Sequence, residues 1–292
     1  MTERFPNETA RIYRAFETLA AGNDAFIDLA QAALLIASIE YPDLDTTQYI
    51  NQLDALARRV RVVLALPGGE PLDPLSTLHA INQVLFTEEQ FHGNEADYMN
   101  PENSFFNCVL DKRTGIPITL SLLYKEVAQR VGLNIDGIGL PYHFMVRCSV
   151  GDHLLYIDPF EEGAFLSEQE CRERIRMMTG RSVEGKSKLY AHWFAPVSSR
   201  QFLYRMLNNL KQIYLRNDDY LHGLTISDLM VILMPRAAIE RKDRGLIHLQ
   251  LKHYGRALHD LMAYLELAPK AKDRYEILNQ VSSIRQIMSM LN

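Results

Sequence analysis

Between Gly132 and Asp158 the apolar residues change period, and that change restricts the fold more than any other feature of the chain. Ahead of Gly132 the spacing is helical. Leu120, Leu123, Val127 and Val131 form one stripe, and Ile118 and Leu122 make the first turns apolar nearly all round. A helix start that apolar belongs in the centre of a domain. Gly115-Ile116-Pro117 opens it, with Pro where a helix start tolerates it, and Gly132 closes it as a left-handed cap. After Gly132 the period is two. Ile138, Leu140, Tyr142, Phe144, Val146, Cys148 and Val150 alternate with polar or intermediate residues, Gly151-Asp152 is a two-residue turn, and His153–Asp158 is the return strand. A buried helix feeding a hairpin makes this part of the chain α+β.

The turn fixes a register. Val150 faces His153, Arg147 faces Tyr156, and Met145 faces Asp158. Side chains alternate along a strand, so His143, Met145, Arg147, Tyr156 and Asp158 share one face. His143 and Asp158 are diagonal neighbours, about 7–8 Å apart along their backbones, a gap that long side chains bridge. A carboxylate in that place sets the tautomer and orientation of an imidazole. The plainer reading is a structural hydrogen bond on a sheet face. Cys148 points to the opposite face and is expected to be a buried core thiol. Cys171 lies in a charged helix and is expected to be inert. Cys108 lies outside the long helix and approaches His143 only if the turn at residues 111–114 folds back.

Ahead of the hairpin the spacing predicts helices. Ile27, Ala30, Leu34 and Ala37 form one stripe with Asp24 as its cap, Ile50, Leu53, Leu56, Val60 and Val63 form a second, and Pro67-Gly68-Gly69 breaks the run. Ser76 opens a shorter helix, and residues 91–104, rich in Gly, Asn and Asp, read as a surface loop. The last third has no strand signal but repeats itself. Tyr220 and Tyr254 are 34 residues apart, as are Pro235 and Pro269, Leu224 and Leu258, and Ile213 and Ile247. A period of 34 is that of the tetratricopeptide helix pair. The second copy has Gly245, Ala257 and Pro269 where that repeat places small and terminating residues, and the first has Lys211 at the Gly position.

Net charge is −5, and the pI near 6.0 argues against a nucleic-acid partner. The basic runs Arg58-Arg59 with Arg61, and Arg172 to Arg176, read as solvated helix faces. The longest apolar run, residues 30–39, is about half of a membrane span. Three cysteines at wide spacing suggest neither a disulfide framework nor a zinc site, and no cofactor or metal is indicated. The first residues lack the pattern of a signal peptide, so the cytoplasm is the expected location.

A cysteine-protease-type site needs its thiol at a helix N-terminus, where the helix dipole stabilises a thiolate. The transglutaminase-like superfamily provides this as Gly-x-Cys opening a helix, followed by a strand with His and another with Asp. Gly115-Ile116-Pro117, the helix to Gly132, His143, and Tyr156-Ile157-Asp158-Pro159 follow that order, with Pro117 standing where the Cys would be. The run from Asn103-Ser104 through Asp111-x-Arg113-x-Gly115-Ile116-Pro117 closely resembles the SirB-type transglutaminase-like proteins. Gly139-x-Pro141-x-His143-Phe144, Ile157-Asp158-Pro159-Phe160, Arg205 to Lys211 and Asp243-Arg244-Gly245-Leu246 continue the match. The resemblance implies an α+β transglutaminase-like core with N-terminal helices (residues 1–195) and a tetratricopeptide-like all-α region (residues 196–292).

It also implies a pocket lined by Arg113, Gly115, Pro117, Tyr142 and Tyr156 around His143 and Asp158. The leading expectation is a regulatory or scaffold protein without cysteine chemistry. Its pocket and C-terminal helices would bind a protein or peptide. The rival is an amide-bond hydrolase or acyltransferase. There His143 is the base, Asp158 its orienter, and Cys108 or an activated water the nucleophile, with Thr119 and Ser121 as further hydroxyl candidates. A third reading makes the pair a structural relic.

Overall fold

The computed structural model describes residues 6–65, 73–180 and 190–291, so the expected break at Pro67-Gly68-Gly69 lies outside the described residues. The chain forms two compact units, Asn23–Met206 and a second made of Met1–Gly22 with Leu207–Asn292. The first helix, α1 (Pro6–Ala21), belongs to the second unit, where it packs on α9 (Tyr220–Leu233) and Tyr13 donates to Asp228 at 3.2 Å. The expected division at 195/196 gave this N-terminal stretch to the core.

The core unit begins with α2 (Leu29–Ala37), α3 (Thr46–Val63) and α4 (Pro74–Asn82). Asp24 does not cap α2; Asp28 does, accepting from the Gln31 N–H at 2.9 Å. The expected surface loop is more ordered than its composition suggests. It holds β1 (His92–Gly93) and a short helical turn at Pro101–Ser104, and Phe91, Asn103 and Ser104 are buried. There follow α5 (Phe106–Lys112), β2 (Thr114–Gly115) and α6 (Pro117–Val131). Helix α6 is the central element, buried among α2, α3, α4 and α5, as its all-round apolar start predicts.

Strands β3 (Asp136–Ile138), β4 (Met145–Val150), β5 (His153–Asp158) and β6 (Ala164–Leu166) make an antiparallel sheet in chain order. The predicted register holds: Arg147 pairs with Tyr156 and Val150 with His153 across the turn at Gly151. Helix α6 packs on β3 and β4. The other face, with Met145 and Tyr156, is covered by Cys171 and Ile175 of α7 (Glu168–Thr179). The basic run in α7 is therefore not simply solvated. Arg174 reaches Asp158, and Arg172 lies over the Phe194 ring at 4.8 Å. In the other basic run, Arg59 bonds Glu88 and Glu89, and Arg61 donates to the Arg130 carbonyl.

In the second unit α8 (Ser199–Arg216), which contains the unit boundary, and α9 make one helix pair. Helices α10 (Ala238–Gln250) and α11 (Tyr254–Leu267) make the next, followed by α12 (Arg274–Leu291). The 34-residue period is conformational as well as chemical, because α9 and α11 start and end at equivalent positions. Asp218 and Lys252 take left-handed φ of 56° and 58° in the equivalent turns. Gly245 allows close packing, since a Cβ there would meet the Leu261 side chain at 3.0 Å. At the equivalent Lys211 the helix surface holds a buried charge, its ammonium bonded to Glu240 at 2.8 Å and Asp243 at 2.7 Å.

Candidate functional site

The site is assembled at the ends of β4 and β5. His143 ends a four-residue turn, Leu140–His143, closed by its own N–H donating to the Leu140 carbonyl at 3.3 Å. Pro141 suits the second position of such a turn, and the third is Tyr142 at φ 59°, where a type II turn favours Gly. A bulky side chain held there costs about 1–3 kcal/mol of strain. Tyr142 is nonetheless 76% exposed, so burial of its ring does not offset that strain. The side chain of Arg205, from α8, grips the turn. Its Nη2 donates to the Leu140 and His143 carbonyls at 2.8 and 2.7 Å, and its guanidinium lies over the Phe144 ring at 5.4 Å.

The His143 ring is anchored from below. Its Nε2 is 2.8 Å from Oδ2 of Asp158, a residue with no exposed surface. A carboxylate oxygen only accepts, so the proton of the neutral ring sits on Nε2 and the lone pair on Nδ1. Asp158 also accepts from Arg174 Nη1 at 2.5 Å and, through Oδ1, from the Phe160 N–H at 3.2 Å. The trio Arg174, Asp158 and His143 orients an imidazole and leaves a basic nitrogen directed away from the carboxylate, the equipment of a general base or a hydrogen-bond acceptor.

The start of α6 is linked to this face through Phe160. The Phe160 ring meets His143 edge-on, centroids 6.2 Å apart, and also Tyr98 at 6.2 Å. It lies over Gly93, where a Cβ would approach it to 2.5 Å, and Gly93 pairs with Gly115. Gly115 itself needs to be Gly, because a Cβ would fall 2.9 Å from Thr119 Oγ1. That hydroxyl is already committed, accepting from the Ile116 N–H at 3.1 Å and donating to the Asn103 carbonyl at 2.7 Å. Pro117, buried at the first position of α6, contributes no N–H and no nucleophile. Ser121 is also buried and donates to the Phe144 carbonyl at 3.4 Å, tying α6 to the strand beside His143.

Of the residues singled out from sequence, His143 and Asp158 come together, Tyr142 stands exposed in the turn just ahead of His143, and Gly115 approaches through Gly93 and Phe160. Others do not join them. Cys108 is buried in α5 with its thiol donating to Tyr41 Oη at 3.1 Å, and burial pushes its pKa up. Tyr156 is in the core with its ring against Phe194 rather than on a pocket wall, because α7 covers that face. Arg113 caps α5 at φ 61°, pairs with Glu89 at 2.8 Å and lies over Phe91 at 4.8 Å. Cys148 and Cys171 are buried thiols, the latter pushed up to about 12 by burial. Sequence reading missed Arg174, Arg205, Tyr98 and Phe160 as partners of the site. For Arg174 a signal existed: Cys171 and Ile175 mark the inward stripe of α7, and Arg174 adjoins it. Among the described residues no group of three or more His, Cys, Asp or Glu is placed to hold a metal ion.

A buried helix opened by a Gly-led turn, packed on a hairpin with an Asp-anchored His, defines a transglutaminase-like core. The family model of the transglutaminase-like superfamily matches residues 47–208, and that of the tetratricopeptide repeat matches 210–282. The chain is 36% identical over 254 residues to a UPF0162 protein of Xylella fastidiosa, covering 87% of this chain and 89% of the relative. A UPF0162 protein of Pseudomonas aeruginosa is 28% identical over 226 residues, 76% of this chain and 78% of that one. The chain belongs to the transglutaminase-like superfamily, within the UPF0162 proteins. A narrower likeness, 35% over 141 residues, links 46% of this chain to 21% of human F-box only protein 21. No solved structure matches. The tetratricopeptide repeats support a role in protein–protein interaction, and no helix among the described residues is long and apolar enough to cross a membrane.

Proposed function

We propose that the chain is a cytoplasmic protein-binding module in which the His143 face receives a peptide segment and helices α8–α12 present a second surface to a protein. The observation that carries this reading is the strained turn at 140–143. It holds an exposed Tyr142 immediately ahead of His143, whose Nδ1 is left to accept, while Thr119 and Pro117 at the head of α6 offer neither thiol nor free hydroxyl. Strain of this kind persists where the surroundings over-determine it and is concentrated at binding sites. Selection from a peptide library on the purified full chain tests the proposal. The expected result is enrichment of a defined motif on the wild type, weakened by Tyr142→Ala and His143→Ala with the fold unchanged. Equal enrichment on the wild type and both variants refutes the His143 face as the site. Retention of every protein partner after removal of residues 209–292 refutes the second surface.

The alternative is amide hydrolysis or acyl transfer with His143 as base, Asp158 as orienter and water as nucleophile. The Arg174–Asp158–His143 geometry favours it over a role for Cys108, whose thiol is held at Tyr41. Release of amine from a peptide amide by the wild type and not by His143→Ala distinguishes it from binding alone.

A further inference from the structure

The 34-residue repeat gives the helical unit two equivalent surfaces, and only one of them carries a helix. Helix α9 carries α1, whose Ile12 and Phe16 are buried. The Tyr13 phenol of α1 donates to Asp228 at 3.2 Å, with Thr225 and the Arg244 guanidinium beside it. Because α9 and α11 start and end one repeat apart, Thr225 corresponds to His259 and Asp228 to Met262. His259 and Met262 line a cavity of about 360 Å³ on α11. Arg285 of α12 lines it too, with Nη2 3.8 Å from the Met262 sulfur. Arg285 therefore stands to Met262 as Arg244 of α10 stands to Asp228, each reaching across from the neighbouring helix of the array. Among the described residues the helices packed on α11 are α10 and α12, and α11 has no counterpart of α1.

Exchanges of small residues for large ones open this cavity. Gly255 stands where α9 has Leu221, and a Cβ there would meet nothing within 4 Å. Ala263 stands where α9 has the fully buried Leu229. Leu258 and Met262 also line it, each only partly buried against the core shared by α11 and α12. A helix lying here as α1 lies on α9 would cover these side chains with apolar residues spaced i, i+3 and i+4. The polar anchor of α1 does not transfer. A thioether is a weak acceptor, so a phenol pressed onto Met262 would lose the strong partner that Asp228 provides. This position therefore asks for an aliphatic residue, which disfavours the α1 of a second copy as the occupant.

We propose that the groove between α11 and α12 docks an amphipathic helix of a partner protein, as the α9 surface docks α1, with an aliphatic residue over Met262 where α1 has Tyr13. This rests on the reading of α8–α12 as a protein-binding surface, and it names the place on that surface and the kind of segment received. The probes are two fluorescent peptides of residues 6–21, one natural and one carrying Tyr13→Leu, each stapled through the exposed positions 14 and 18. Binding to the full chain, whose own α1 occupies the α9 surface, is read by polarisation. The Leu peptide is expected to bind about tenfold or more tightly than the Tyr peptide. Gly255→Glu and Ala263→Glu each place a charge under the docked helix and are expected to weaken the Leu peptide about tenfold or more. Met262→Asp restores the α9 acceptor and is expected to reverse the preference, so that the Tyr peptide binds more tightly. Thermal unfolding of each variant checks the fold. The proposal is overturned if neither peptide binds, if the Leu peptide binds no more tightly than the Tyr peptide, or if both Glu variants bind it as the wild type does. A preference that Met262→Asp leaves unchanged also overturns it. The wider surface reading survives these outcomes, since it stands or falls on partner retention after removal of residues 209–292.

Discussion

Replacing Asp158 tests whether one buried carboxylate holds the His143 face together. His143 Nε2 and Arg174 Nη1 converge on its Oδ2, and the Phe160 N–H donates to Oδ1. Asn at this position has a single oxygen. Placed where two donors meet, it turns its amide toward the Phe160 N–H, losing that bond and the ion-to-ion contact with Arg174. A hydrogen bond to a charged group contributes about 1.5–3 kcal/mol. The Arg174 side chain is 37% exposed and regains water in part, so Asp158→Asn is expected to cost about 2 kcal/mol. Asp158→Ala removes both acceptor oxygens, and with them all three hydrogen bonds, and leaves a cavity, with an expected cost of about 3–4 kcal/mol. Arg174→Ala, discounted for solvent, is expected to cost about 1 kcal/mol. Urea unfolding of the core unit, followed by circular dichroism, ranks the three variants. If Asp158→Ala is no more destabilising than Arg174→Ala, the carboxylate is not the anchor and the reasoning fails.

Three further outcomes follow from the same structure. Lys211 is 1% exposed, so Lys211→Met, which deprives Glu240 of its ammonium, is expected to destabilise the helical unit by about 3–5 kcal/mol, with Glu240→Leu restoring much of the loss. A single variant as stable as the wild type in urea contradicts this. Burial raises the thiol pKa of Cys108 and Cys148, and takes Cys171 to about 12. Near neutral pH the folded chain should therefore react slowly with iodoacetamide and all three thiols should react once unfolded; fast labelling of any of them in the native state argues against that burial. His248 has its pKa lowered from 6.5, first by burial, with Arg244 and His253 adding to the effect and Asp228 and Asp260 opposing it. The unfolded chain then binds the proton more readily, so this contribution to stability is present above about pH 6.5 and is lost as pH falls through the folded value. Thermal unfolding of the helical unit at several pH values should show a slope that His248→Gln reduces, and an unchanged slope would exclude His248 as its source.

The parts legible in the sequence are those decided by neighbours along the chain. Gly151-Asp152 sets the hairpin and the hairpin sets the register that carries Asp158 to the end of β5, which is local; His143 itself lies in the turn ahead of β4, where the strand alternation expected from residue 138 is interrupted. The 34-residue repeat is legible for the same reason, since Asp218 and Lys252 occupy equivalent turns whose flanking residues recur. What the sequence hides depends on contacts between distant segments. Arg205 reaches Leu140 across 65 positions, and Arg174 reaches Asp158 from a helix that reads as a charged surface. The burial of Phe91, Asn103 and Ser104 is hidden likewise, because Gly- and Asn-rich composition reports turn geometry and not what packs over the turn. Tyr156 falls outside the site on the same account. A strand alternation assigns a face but not its cover, and α7 covers this one.

The two halves of the site differ in a way that bears on whether it is a relic. At the head of α6 the Thr119 hydroxyl joins Ile116 to Asn103, and Pro117 fills the first helical position. In the His143 half, Asp158 sits in the interior with three donors, and Tyr142 takes up a backbone conformation that Gly would adopt at less strain. A face serving stability alone has no need of Tyr at 142, since Gly would hold the same turn with less strain. Left-handed φ at a non-Gly residue also occurs at Gln90 and Arg113, so strain alone does not separate the two halves; what does is that Tyr142 is 76% exposed in its strained turn, and this supports binding at His143 over a purely structural pair.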